Sequence, residues 1–219
     1  MGQTRHGRSA LGLVALLMAG LLALPSTGLA QLGGLLPPPT STTTTTVTGD
    51  ATAVRATLFG ALGLLTTTTA LADTGTLSGV NDARDASMDT GTVPSVLTGE
   101  VLSAGTISWP DEVDSAVSLA NLNMSVAGIG IYADSVVAEA SQVLGAAGSG
   151  TSYIDNLSIN GIPVAVTGAP NQTIWVPGGQ VIVNEQSISS TGTAVVNAIH
   201  VTVTGVADVV IASATAGIA

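Results

Sequence analysis

The side chains best suited to chemistry fall in two short runs, Asn184-Glu185-Gln186 and Asn197 to His200. A carboxylate and an imidazole can move a proton as a general acid/base pair, or join further ligands around a metal ion. One His and one Glu are too few for a zinc site, and the chain has no HExxH run, no GxSxG elbow and no cysteine. The plainer role of Asn184, Gln186 and Asn197 is to hydrogen-bond backbone at sheet edges and turns, because a buried amide must be paired to offset its desolvation. Trp175 offers a ring on which a sugar could stack if it is exposed; its alternative, shared with Trp109, is core or edge packing.

Two weaker patterns need weighing. Asp73-Thr74-Gly75 has the tripeptide of aspartic proteases, in which two loops bring two carboxylates together to share a proton. The other copy, Asp89-Thr90-Gly91, follows too closely and lacks flanking apolar strands, so a protease is not expected. Asp82, Asp85 and Asp89, with Asp111, Glu112 and Asp114, present hard oxygens that suit calcium, but neither run has the EF-hand order. A solvated acidic face is the default reading and a calcium-stabilised loop the alternative; no other cofactor is expected.

The elements that must position these residues read as strands. Val47 to Phe59 opens the series, and GALGLLTTTTALAD either continues it or forms a short buried segment. Asp73 to Pro94, rich in Asp, Ser, Thr and Gly, reads as a long irregular loop. Gly99 to Ser108, Ala116 to Val126, Ile129 to Ser141, Thr151 to Val166, Gln172 to Pro177, Gln180 to Ile188, Thr193 to Val203 and Val206 to Ala214 follow at turn spacings. Only SVVAEASQVLGAAG also fits a helix. Asn160-Gly161 and Pro177-Gly178-Gly179 are hairpin signals. In Thr193 to Val203, strict alternation puts Val195, Asn197, Ile199, Val201 and Val203 on one face and His200 on the other. The expected fold is an all-β, antiparallel β-sandwich-like domain, with a barrel as the alternative.

The N-terminal residues bear on location. Arg5 and Arg8 precede the apolar run Ala10 to Leu24, and Pro25 and Gly28-Leu29-Ala30 follow, the order of a secretory signal peptide with cleavage between Ala30 and Gln31. The apolar run is short for a membrane span, and the sortase-like LPSTG at Leu24 to Gly28 comes after the apolar span rather than before it. Residues 31–46, with three prolines and a threonine tract, read as a linker, leaving 47–219 as the β domain. Without the signal, Arg55 and Arg84 face fourteen carboxylates, a formal charge of −12 with no lysine. Such a surface repels nucleic acid and anionic lipid.

Pro170 to Gln186, then VVNAIHVTV and DVVIASA, resemble the C-terminal half of the bacterial choice-of-anchor P family, and GTSYIDNLSINGIPVAVTGAPN and DTGTLSG extend the likeness over Val47 to Ala219. That resemblance implies an extracellular bacterial domain of unestablished molecular function. The family's sorting tail is absent after DVVIASATAGIA, so release from the cell is expected unless the domain or a partner retains it. The leading expectation is a secreted or cell-surface, non-enzymatic β module, structural or adhesive, with an envelope or polysaccharide partner and no membrane span in the mature chain. The alternative is a carbohydrate-binding or hydrolytic protein with its site near Glu185 and His200. Oligomeric state is not legible.

Overall fold

The computed structural model describes residues 44–60 and 65–219. The expected signal peptide, its expected cleavage between Ala30 and Gln31, and most of the expected linker lie outside the described residues. Thirteen strands follow one another, with no helix among the described residues: β1 (Val47–Phe59), β2 (Thr66–Asp73), β3 (Ala83–Val93), β4 (Leu97–Ser108), β5 (Glu112–Val126), β6 (Ile129–Val143), β7 (Ser149–Asp155), β8 (Ser158–Ile159), β9 (Ile162–Pro163), β10 (Gln172–Val176), β11 (Gly179–Ile188), β12 (Ala194–Val203) and β13 (Ala207–Ile218). They form two antiparallel sheets. Sheet A has the order β10-β11-β12-β13-β1-β2, and sheet B has β3-β4-β5-β6-β8-β9 with β7 also paired to β6. The sheets do not close into a barrel, so the fold is a β-sandwich.

Both hairpin signals form. Asn160 (φ 52) and Gly161 (φ 75) make the left-handed pair that joins β8 to β9, and Pro177-Gly178 joins β10 to β11 with Val176 opposite Gly179. SVVAEASQVLGAAG is strand through Val143 rather than helix, with Val136, Ala138 and Ala140 alternating inward. The loop expected over Asp73 to Pro94 is corrected: β3 occupies Ala83–Val93. An edge strand that buries only Gly91 and Val93 tolerates the Asp, Ser and Thr that made it look like loop, and its charges blunt the open edge.

Sheet A carries a feature that alternation could not reveal. Ala72, Ala53, Ala212, Ala198 and Asn184 lie in one cross-strand row over β2, β1, β13, β12 and β11; the ladder skips this row and keeps its register on either side. Ala72 (φ 45), Ala212 (φ 53) and Asn184 (φ 54) are left-handed, one on every second strand. At this row two successive residues face inward, as in Ala53-Val54 and Ala198-Ile199. Small side chains are needed where two neighbours compete for one face, and Asn tolerates the left-handed region. Sheet B steps in the opposite sense, with Glu100-Val101, Ala120-Asn121 and Asp134-Ser135 facing outward in pairs, beside left-handed Val101, Asn121 and Asn156. Opposite steps let two packed layers bend together, as bulges bend single strands.

The core between the sheets is aliphatic. Leu102, Leu119, Leu122, Met124, Ile129, Ile131, Ile199, Ile211 and Ile218 are fully buried among many alanines. Each buried methyl contributes only about 0.8 kcal/mol, so the core relies on number and close approach. Polar links add direction: Ser115 Oγ donates to the Thr215 carbonyl across the sheets at 2.6 Å, and buried Gln142 accepts from Ile218 N at 2.9 Å while donating to Ala146 and Thr191 carbonyls.

Candidate functional site

The step in sheet A decides where the chemical residues go. Across it, Val195 and Asn197 face outward while Ile199, Val201 and Val203 face inward, which corrects the single face expected for them; Asn197 and His200 share the outer face. Antiparallel pairing sets Glu185 opposite Asn197, and Ile182 opposite His200. The β12–β13 hairpin, turning at Gly205, then places Asp208 opposite Thr202.

These placements make a line of three groups. His200 Nδ1 is 2.9 Å from Glu185 Oε2, and His200 Nε2 is 3.2 Å from Asp208 Oδ1. Asn197 Nδ2 donates to the same Glu185 oxygen at 2.6 Å. The His200 side chain is 20% exposed, Glu185 is half-buried, and Asp208 is the most open of the three. In neutral imidazole one nitrogen donates and the other does not, so both contacts become hydrogen bonds only in the doubly protonated ring. Either way, both ring nitrogens are occupied by carboxylates.

Asn184 and Gln186 are not part of that line. Asn184 faces inward at the step, donates to the Gly168 carbonyl at 3.0 Å and accepts from Gln186 Nε2 at 2.8 Å. It thereby ties the connection between β9 and β10 to β11 through a backbone carbonyl, the role expected of it, whereas the Gln186 and Asn197 amides donate to side chains, Asn184 Oδ1 and Glu185 Oε2.

Trp175 is on the outer face of edge strand β10, with Ile174 and Val176 turned to the core. It is 78% exposed. Trp175, Gln180, Thr202 and Asp208 form one cross-strand row, and His200 is the next outward position beyond Thr202. Strand spacing puts Trp175 and His200 about 12 Å apart at Cα. At the step two successive residues of a strand turn inward, as in Ala53-Val54 and Ala198-Ile199. Outward-facing Ser213 and Thr52 are buried, and Arg55 Nη2 caps Thr52 Oγ1 at 3.1 Å. The face thus presents amide, hydroxyl and carboxylate groups with an indole at one edge.

The calcium candidates stay apart. Asp82 precedes β3, where Ser78 N and Oγ donate to it at 2.8 Å each and Arg84 Nε at 3.1 Å; Asp85 and Asp89 follow along the edge. The Ser78 backbone and side-chain bonds, then Arg84, hold the Asp82 carboxyl at about 2. Asp111, Glu112 and Asp114 are at the β4–β5 turn, where burial pushes the Glu112 carboxyl up and the Asp114 and Asp111 charges add to it. Among the described residues no three His, Asp or Glu side chains converge as a group able to hold a metal ion. Asp73 ends a strand of sheet A and Asp89 is in sheet B, so the two DTG tripeptides belong to different sheets.

Sequence reasoning passed over Asp208. Its signal was available: it is the one charged side chain in Val206 to Ala214, and a hairpin about Thr204-Gly205 brings it beside Thr202. Among the described residues no helix is long and apolar enough to cross a membrane. Compared with known proteins, the chain matches no family model, no curated protein and no solved structure.

Proposed function

We propose that this chain is an exported, non-enzymatic β module, structural or adhesive in the bacterial envelope or extracellular space, that contacts a neutral polysaccharide through the outer face of sheet A. The observation that carries this reading is Trp175, 78% exposed and in register with Gln180, Thr202 and Asp208. An indole presents a broad apolar face to the C–H side of a pyranose, while the amide, hydroxyl and carboxylate groups beside it suit sugar hydroxyls. The charge balance favours an uncharged partner. Arg55 and Arg84 are each paired with a carboxylate, which leaves polyanions little to bind. The export signal and the likeness to the choice-of-anchor P family belong to the same proposal and rest on the residues quoted for them.

Hydrolysis is the weaker reading. A glycosidase needs one carboxyl to protonate the leaving oxygen and a second to act on the sugar or on water. Here Glu185 and Asp208 flank one imidazole and both contact it. Both nitrogens of His200 face these two carboxylates, so neither is directed at an open substrate position.

Native electrophoresis through gels containing hydroxyethyl cellulose tests the proposal. Retardation of the mature protein that weakens in Trp175→Ala, with no reducing ends released on prolonged incubation, is the expected result. Reducing ends that appear with wild type and vanish in Glu185→Gln would replace it with the hydrolytic reading.

A further inference from the structure

None of the five aromatic side chains lies in the core. Trp109 is half-buried at the β4–β5 turn, and Phe59, Tyr132, Tyr153 and Trp175 are exposed. Aromatic rings ordinarily dominate a core because they bury so much apolar area. The two tyrosines share the outer face of sheet B, turned away from the Trp175 face. Tyr153 on β7 is 61% exposed opposite Val137 of β6, and Tyr132 on β6 is 42% exposed opposite Ser158 of β8.

Between them stands a built polar group. Tyr132 Oη donates to Asp134 Oδ1 at 2.6 Å, and Asn156 Nδ2 donates to Asp134 Oδ2. Tyr132 thus reaches a side chain two residues along its own strand while its ring stays exposed. Asp134 and Ser135 both face outward because sheet B steps there, so the carboxylate is carried on the outer face. The bonds from Tyr132 and then Asn156 hold the Asp134 carboxyl below its ordinary range, and the bond to Asp134 pushes the Tyr132 phenol up. The group is therefore an ionised carboxylate held by a neutral phenol and an amide, and each carboxylate oxygen keeps a lone pair for another donor.

We propose that Tyr132, Asp134, Asn156 and Tyr153 form a second contact for neutral polysaccharide, on the face opposite Trp175, so that one domain can join two polymer chains. The assignment of ligand class rests on the reading of the Trp175 face; the location rests on sheet B alone. Sugar hydroxyls donate to Asp134 and the pyranose C–H face lies on Tyr153. No arginine or lysine is among the four, and an ionised carboxylate at the centre repels polyanions. Exposed rings on either side of the carboxylate suit an extended polymer lying across the face.

The test is native electrophoresis of wild type, Trp175→Ala, Tyr153→Ala and the double variant through hydroxyethyl cellulose, with dextran sulfate as a charged control. Both rings are exposed, so neither truncation disturbs the core. Each single variant is expected to bind roughly tenfold more weakly, the ratio that 1.4 kcal/mol makes, and the double variant to run unretarded. Tyr132→Phe, which keeps the ring but frees Asp134, is expected to weaken binding as well. If Trp175→Ala alone removes all retardation, the sheet B contact is overturned and the sheet A reading stands. If Trp175→Ala runs as wild type and Tyr153→Ala removes retardation, the sheet A reading fails and the sheet B contact stands. Wild type unretarded in hydroxyethyl cellulose, or retarded equally by dextran sulfate, overturns both.

Discussion

Val101 provides a test of the stepped sheets. Its φ is 50, a region that costs an ordinary L-residue roughly 1–2 kcal/mol and a β-branched one more. Its side chain is 66% exposed, so only about a third of its apolar surface is covered. Full burial of a valine contributes about 1.5–3 kcal/mol, which makes the covered third worth roughly 0.5–1 kcal/mol. Asparagine tolerates the left-handed region, so Val101→Asn relieves more backbone strain than it loses in burial and is expected to stabilise by about 0.5–1 kcal/mol. For a domain of this size that corresponds to a rise in Tm of roughly 1–4 °C. Val101→Gly relieves the same strain but adds about 0.5–1 kcal/mol of chain entropy, and should come out near neutral. Val143, also exposed but outside the left-handed region, is the control, and Val143→Asn should lower Tm. Urea and thermal unfolding of the three variants, compared at equal m-values, give the answer. A lower midpoint for Val101→Asn, or a rise in both asparagine variants, would refute the idea that left-handed strain is stored at this row.

Two further outcomes follow from particular contacts. Gln142→Leu keeps the volume but strips partners from Ile218 N and from the Ala146 and Thr191 carbonyls, so urea unfolding should show a loss of about 2–4 kcal/mol from the buried groups left unpaired. Asp82 titrates at about 2 in the folded chain against 3.8 for the free side chain, so its contribution is complete above about pH 4 and is lost as pH falls through 2. NMR titration should locate that midpoint, and Ser78→Ala should raise it; a carboxyl that titrates near 3.8 in wild type would contradict the bonding described.

How much was legible in the sequence depended on whether the signal was local. Alternating apolar residues and the Asn160-Gly161 and Pro177-Gly178 turns marked most strands, because side-chain direction and turn geometry are set within a few residues. The β11–β12 hairpin was enough to bring Glu185 and Asn197 near His200. The edge strand β3 was missed because its solvent side carries the composition of a loop. The face of Asn197 was misplaced because alternation assumes an unbroken pleat, and the left-handed residues that break it are ordinary alanines on two of the three strands.

The sequence by itself determined an all-β chain, cysteine-free and acidic, with a small-aliphatic interior. Charge, cysteine content and aliphatic bulk are sums over residue types, and the strands follow from alternation within a few residues, so none of these needs coordinates. Only the tertiary structure decided which aromatic rings face solvent, how His200 comes to lie between Glu185 and Asp208, and how Asn156 reaches Asp134. Each of these depends on pairing between strands and on the row at which both sheets step. Such a step is a collective event: Ala53, Ala72, Ala198, Ala212 and Asn184 come from distant parts of the chain, and none departs from the pleat for a reason visible in its own neighbours.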